Sequence, residues 1–202
     1  GGSGRVELTA AGPGPVRALS ADLQVARRRI ALRNLVVQPA RGRVTGEITV
    51  SEGNRLSGRL EISEVPVQEW LPGQYGALVP AGPASGVIEL GGTLAEPALR
   101  ADLSVAGVSL PALGQGTARL RARSAQGTIT VEEFTFESQG SRLTLQGEDS
   151  PRRGFDFRLP EAQTDLSVIS SLLSLWTGKR APVALSGLAT VSVSVRGQPH
   201  RP

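Results

Sequence analysis

Apolar and polar residues alternate one by one through most of this chain, and a period of two leaves little room for anything but half-buried β-strands. The pattern is clearest over residues 84–105, ASGVIELGGTLAEPALRADLSV. Ile88 and Leu90 alternate in one run, then Leu99, Ala101, Leu103 and Val105 in the next. Between them lies Gly91-Gly92-Thr93-Leu94-Ala95-Glu96-Pro97, where glycine permits a bend and proline stops a ladder. The stretch recurs. Residues 18–25, ALSADLQV, match residues 98–105, ALRADLSV, at an offset of 80, and Gly197 and Pro202 follow Gly92 and Pro97 by 105. The expectation is one elongated β-repeat array, residues 1–202, with units 5–83 and 84–188 and the opening of a third at 189–202.

Aromatic residues make up only 3% of the chain, and its apolar side chains are mostly Leu, Val, Ala and Ile. A thin aliphatic layer along a long sheet suits this better than a globule built around aromatics. With 25 Gly and 14 Pro, turns are frequent and strands short. The net charge of +4 comes almost wholly from Arg, Lys179 being the only Lys. That balance is too mild, and too poor in aromatics, for a nucleic-acid platform. It suits an anionic membrane surface or an acidic partner without requiring either. Cysteine is absent, which removes disulfides, thiolate metal sites and cysteine nucleophiles. No window approaches 18 uninterrupted apolar residues, so no membrane-spanning helix is expected. The missing Met and the opening Gly1-Gly2-Ser3-Gly4 read as a linker on a piece of a longer protein.

Taken in order, strands are expected at Val6/Leu8/Ala10, Leu19/Ala21/Leu23/Val25, Ile30/Leu32 and Leu35/Val37, with Arg27-Arg28-Arg29 as a solvated turn. Residues 43–62 read as a hairpin about Glu52-Gly53-Asn54, with Gly46 and Gly58 leaving its inner face locally empty. Val67, Trp70 and Leu71 are spaced as one face of a short helix begun near Pro66. Leu166, Ile169, Leu172, Leu173 and Trp176 predict a second helix, near 165–176, capped by Thr164 or Asp165. Strands resume at Ala118/Leu120/Ala122, Ile129/Val131, Phe134/Phe136, Leu143/Leu145 and Phe155/Phe157/Leu159. Gly114-Gln115-Gly116, Gln126-Gly127 and Gln139-Gly140-Ser141 read as turns, and residues 147–154 as an exposed loop.

No catalytic or metal constellation emerges, and no enzyme activity or cofactor is expected. The single His, His200, sits between Pro199 and Arg201 with no triad pattern about it. The chain has no nucleophile elbow and no phosphate-binding loop of the P-loop type. Glu132 and Glu133 are adjacent, so in a regular strand they point to opposite faces and do not work as a pair. Asp22 and Asp102 hold equivalent places in the repeat and are expected to point outward.

An alternating strand, then Gly-Thr-Leu-x-x-Pro, then x-Leu-x-Ala-x-Leu-x-Val resembles the C-terminal repeats of the TamB family, within the wider AsmA-like group of bacterial envelope proteins. The resemblance rests on Ile88, Leu90, Gly92, Thr93, Leu94, Pro97, Leu99, Ala101 and Leu103. It is echoed at Leu8, Gly12, Leu19, Ala21 and Leu23, and again at Val193, Val195, Gly197 and Pro202. It implies an all-β fold: an elongated curled sheet, a β-taco-like repeat solenoid with an apolar concave groove and one or two short helices. It also implies a periplasmic segment of a bridge carrying phospholipid between the two membranes of a bacterial envelope. A membrane anchor would lie outside these residues, and an outer-membrane barrel protein of the TamA type would be a partner in barrel assembly.

The in-phase aliphatic positions that would line such a groove and bind lipid acyl chains are Leu8, Leu19, Leu23, Val25, Ile30, Leu32, Ile48, Val50, Leu60, Ile62, Ile88, Leu90, Leu99, Leu103, Val105, Leu120, Ile129, Val131, Leu143, Leu145, Val193 and Val195. A strand of about seven residues spans about 23 Å, comparable to one lipid tail. Each methylene moved onto such a surface gains about 0.8 kcal/mol. Two other readings stand beside this one: a closed β-solenoid stalk or adhesin segment that only spans distance, and a groove that holds unfolded barrel strands by β-augmentation.

Overall fold

Each apolar run pairs with the run that follows it in the chain. The computed structural model describes residues 1–9, 16–66, 82–110, 114–138, 141–165 and 187–198. They form one antiparallel sheet of twelve strands in chain order. The strands are β1 (Gly2–Thr9), β2 (Val16–Ala26), β3 (Arg29–Pro39), β4 (Arg43–Ser51), β5 (Arg55–Pro66), β6 (Pro83–Gly92), β7 (Pro97–Leu110), β8 (Gly114–Ala125), β9 (Thr128–Ser138), β10 (Ser141–Ser150), β11 (Gly154–Asp165) and β12 (Leu188–Gly197). Substantial contacts between strands are confined to sheet neighbours. The only helical turn among the described residues is a 3-10 turn at Glu52–Asn54, closing the expected hairpin with Gly53 and Asn54 at positive φ.

Several boundaries differ from the sequence reading. Gly2, Ser3 and Gly4, read as linker, pair with Val25, Gln24 and Leu23. Gly114–Gly116, read as a turn, begins β8, because the Phe136 ring lies over Gly116 and takes the room a side chain there would need. Gly147–Asp149, read as loop, pairs on both sides, Ser150 pairs with Gly154, and only Pro151-Arg152-Arg153 turns. Thr164 and Asp165, read as a helix cap, are still paired in β11. The predicted helices, near 67–71 and 165–176, lie outside the described residues except for Asp165.

The sheet carries a repeat the sequence reading did not find. On every odd strand from β3 to β11 the apolar step lengthens once from two residues to three: Leu32 to Leu35, Ile62 to Val65, Val105 to Val108, Val131 to Phe134 and Leu159 to Ala162. Each long step is a β-bulge, and the neighbouring even strand takes only two residues over the same distance. Asn34, Glu64 and Gly107 sit in these bulges at φ 50°, 54° and 66°. Beside four of the bulges the following even strand carries a glycine in the apolar register: Gly46, Gly86, Gly116 and Gly147. At each, a Cβ would overlap a carbonyl oxygen of the next strand, from Arg59, Asp102, Glu137 and Asp156 respectively. Bulges and glycine kinks are the devices that bend a sheet.

The structural unit is therefore a two-strand hairpin, a bulge on its first strand and a glycine on its second. The sequence match between residues 18–25 and 98–105 falls on β2 and β7, five antiparallel steps apart, so the two matching segments run in opposite directions.

Candidate functional site

Residues directly paired in an antiparallel ladder point to the same side of the sheet. Following the pairs across the sheet places all the expected groove positions on one face. One row runs Leu23, Leu32, Ile48, Gly58, Leu90, Leu99. Another runs Leu8, Leu19, Val37, Val44, Ile62, Gly86, Leu103, Leu120, Phe134, Leu145. Val25, Ile30 and Val50 continue the face toward one rim. Leu60 and Ile88, then Val105 and Leu143, and finally Ile129, Val131, Val193 and Val195 complete it.

This face is only partly covered. Phe136 and Val108 are fully buried and, with Ala118, form a local core against which Val105, Phe134 and Leu143 pack. Elsewhere large apolar side chains remain open to solvent, Leu8 at 61% and Val195 at 50% among them. Gly46 and Gly58, expected to leave gaps, lie between Leu35 and Leu60 and between Ile48 and Leu90, so large neighbours flank each empty position. A hollow of about 300 Å³ opens on the same face, lined by apolar side chains from five strands. Leu60, Ile62, Ile88 and Leu103 in its wall were expected there; Leu35, Val37, Val44, Val65 and Ala84 were not named as groove positions. Leu35 and Val65 lie just past the β3 and β5 bulges, where counting by twos loses the face.

The opposite face is charged and carries ion pairs, most of them between neighbouring strands. Arg59 meets Glu89 at 3.2 Å, Arg100 and Arg123 meet Glu132 at 3.7 and 3.6 Å, and Asp156 meets Arg158 and Arg196 at 3.3 and 3.0 Å. Glu133 pairs with Arg121. Glu132 and Glu133 thus face the same side, against the sequence expectation, because Glu132 is the extra residue of the β9 bulge. Glu133 holds the Arg121 guanidinium above its ordinary range, by its hydrogen bond first and its charge second. Asp156 is held below the ordinary carboxylate value, first by its hydrogen bond to Arg158. Asp156 therefore favours the folded sheet above the unfolded carboxylate's range, and loses that effect as the pH falls through its lowered pKa. Exposed pairs of this kind contribute little to stability, so the apolar face carries the fold. Asp102 is exposed, and Asp22 accepts a 2.7 Å hydrogen bond from Asn34 Nδ2 in the β3 bulge.

No group of three or more His, Cys, Asp or Glu suited to a metal occurs among the described residues, and no helix there is long and apolar enough to cross a membrane. No family model, curated protein or solved structure matches the chain.

The two faces make opposite demands on substitution. Leu103→Asp, which puts a carboxylate into the hollow, should cost about 3 kcal/mol. Asp102→Leu, one residue away on the other face, should cost less than about 1 kcal/mol. Urea melts of the two variants measure the difference, and equal tolerance would refute the assignment of faces.

Proposed function

We propose that this chain is a segment of a bacterial envelope bridge of the TamB-like kind, and that its apolar face conducts lipid acyl chains between membranes. In this reading the sheet curls into a β-taco-like trough with the charged face outward, in the periplasm of a two-membrane bacterium. The observation that carries it is the apolar face itself. It runs through all twelve strands with no second layer packed on it among the described residues, and the register gives successive strands similar aliphatic side chains. A surface of that kind offers a tail nearly the same energy at each strand, so lipid slides without a deep trap. The bulges and kinking glycines on alternate strands support the curl, and the 300 Å³ hollow supports its concave side being the apolar one. A closed stalk would need side chains filling that side to interior density, which the exposure of Ile30, Leu99 and Ile129 on interior strands weighs against. Assembly of outer-membrane barrels with a TamA-type partner belongs to the same proposal and rests on the sequence resemblance alone.

The test is a photo-crosslinking amino acid at Leu103 or at Asp102 of the full-length protein in living cells. Phospholipid should be captured from position 103 and not from position 102, since the two share a strand and differ only in face. Equal capture at both positions would mean nonspecific surface contact. Capture of polypeptide in place of lipid would replace this reading with strand holding.

A further inference from the structure

Along the rim of the short turns, the apolar face changes chemistry part-way across the sheet. The row that is aliphatic from Leu23 to Leu99, Gly58 apart, continues as Ser124, Ile129 and Asp149 on β8, β9 and β10. Beside that stretch, the turns after β6, β8 and β10 enclose a hollow of about 860 Å³. The turns touch: the Pro151 ring lies against Gly127, and Thr128 Oγ1 donates to Ser150 Oγ at 3.5 Å. Both signs of charge line the hollow, Glu96 on one side and Arg152 and Arg153 on the other. Arg153 is paired with Glu148 at 3.5 Å. The Arg152 guanidinium and the Glu96 carboxylate form no ion pair among the described residues, with each other or with any other group.

We infer that this hollow receives a zwitterionic lipid headgroup, its phosphate on Arg152 and its ammonium on Glu96, while the chains lie on the adjoining apolar face. The inference rests on the lipid-conducting reading above and names the lipid class. Three features carry it together. The hollow is polar, where the hollow that opens nearer the opposite margin of the apolar face is almost wholly apolar. It adjoins the one margin of the apolar face where Ser124 and Asp149 replace aliphatic residues. An unpaired cation and an unpaired anion in one hollow complement a ligand that bears both charges, where a purely anionic headgroup would meet Glu96 as a repulsive neighbour. Guanidinium groups bind phosphate through paired N–H donors, which fits Arg at this place better than the point charge of Lys.

The experiment titrates the purified protein with three lipids of identical chains: a phosphatidylethanolamine, a phosphatidylglycerol and a diacylglycerol lacking phosphate. Phosphatidylethanolamine should bind about five-fold tighter than diacylglycerol. Arg152→Ala with Arg153→Ala should bring the two to parity and leave diacylglycerol binding unchanged. Glu96→Gln should remove the preference for phosphatidylethanolamine over phosphatidylglycerol. Preferences that survive these substitutions would overturn the headgroup site and leave the acyl-chain reading intact. Soluble glycerophosphoethanolamine binding as tightly as the lipid would assign the hollow to a free phosphate ester instead. Failure of all three lipids to bind, diacylglycerol included, would overturn the acyl-chain reading and the headgroup site with it.

Discussion

Gly86→Val is expected to destabilise the sheet by about 3 kcal/mol or more, in the range reserved for a short list of severe changes. Gly86 sits at φ +150° in the middle of β6, between Ile62 and Leu103. A Cβ there would overlap the Asp102 carbonyl oxygen and stand 2.9 Å from Leu103 Cα. Both obstacles are backbone, so no side chain can swing away to make room. The strand would have to part from β7 or lose its kink. Gly91→Ala is the control on the same strand: a Cβ at that position meets nothing within 4 Å. Its effect should stay within about 1 kcal/mol and can be stabilising, because alanine lowers the entropy of the unfolded chain. Chemical denaturation of the two variants decides the point. A Gly86→Val protein as stable as the parent would mean that the sheet does not depend on the glycine kink.

Phe136→Ala is the second large effect, at about 3–5 kcal/mol. Phe136 is fully buried, although it belongs to a sheet with no second layer packed on it among the described residues. Among the described residues, Val105, Phe134 and Leu143 on its own face pack against the cluster it forms with Val108 and Ala118. It pairs with Ala118 on one side and Leu143 on the other, and its ring reaches over Gly116. Truncation would leave a cavity over Gly116 and Ala118 that the flanking Val105, Val108 and Leu143 close only in part. Ile129→Ala, on the same strand but half exposed, should cost under about 1 kcal/mol. Thermal melts that shift equally for the two would place the local core elsewhere.

The single apolar face was legible in the sequence because alternation is a direct signature of which side a residue takes. Ile88, Leu90, Leu99 and Leu103 were placed by counting alone, and the register agrees with the count. What counting hid was each point where the period slips. Ile62 to Val65 and Val105 to Val108 look like the ends of strands, because an interval of three breaks a pattern of two. They are bulges inside strands. The same slip turned Glu132 and Glu133 to one side when simple alternation had set them apart. Glycines misled in a related way. Gly114-Gln115-Gly116 has turn composition, yet Gly116 is in a strand because an aromatic ring on the next strand occupies the space beside it. That cause lies twenty residues further on, at Phe136, and no local reading contains it. The polar hollow escaped for a similar reason, since Glu96, Gln126 and Arg152 come from three turns that only the sheet brings together.

The hairpin unit has a consequence for how such a chain is made and how it grows. Every strand pairs only with its predecessor and successor, so contacts stay short in sequence and the nucleus can be any one hairpin, with others added on either side as they leave the ribosome. Duplicating a whole hairpin lengthens the sheet and returns the next strand to the same direction, with its turn on the same rim. Duplicating a single strand would reverse everything downstream and send each later turn to the opposite rim. Growth in steps of two is therefore the route that preserves both the apolar face and the order of its two margins.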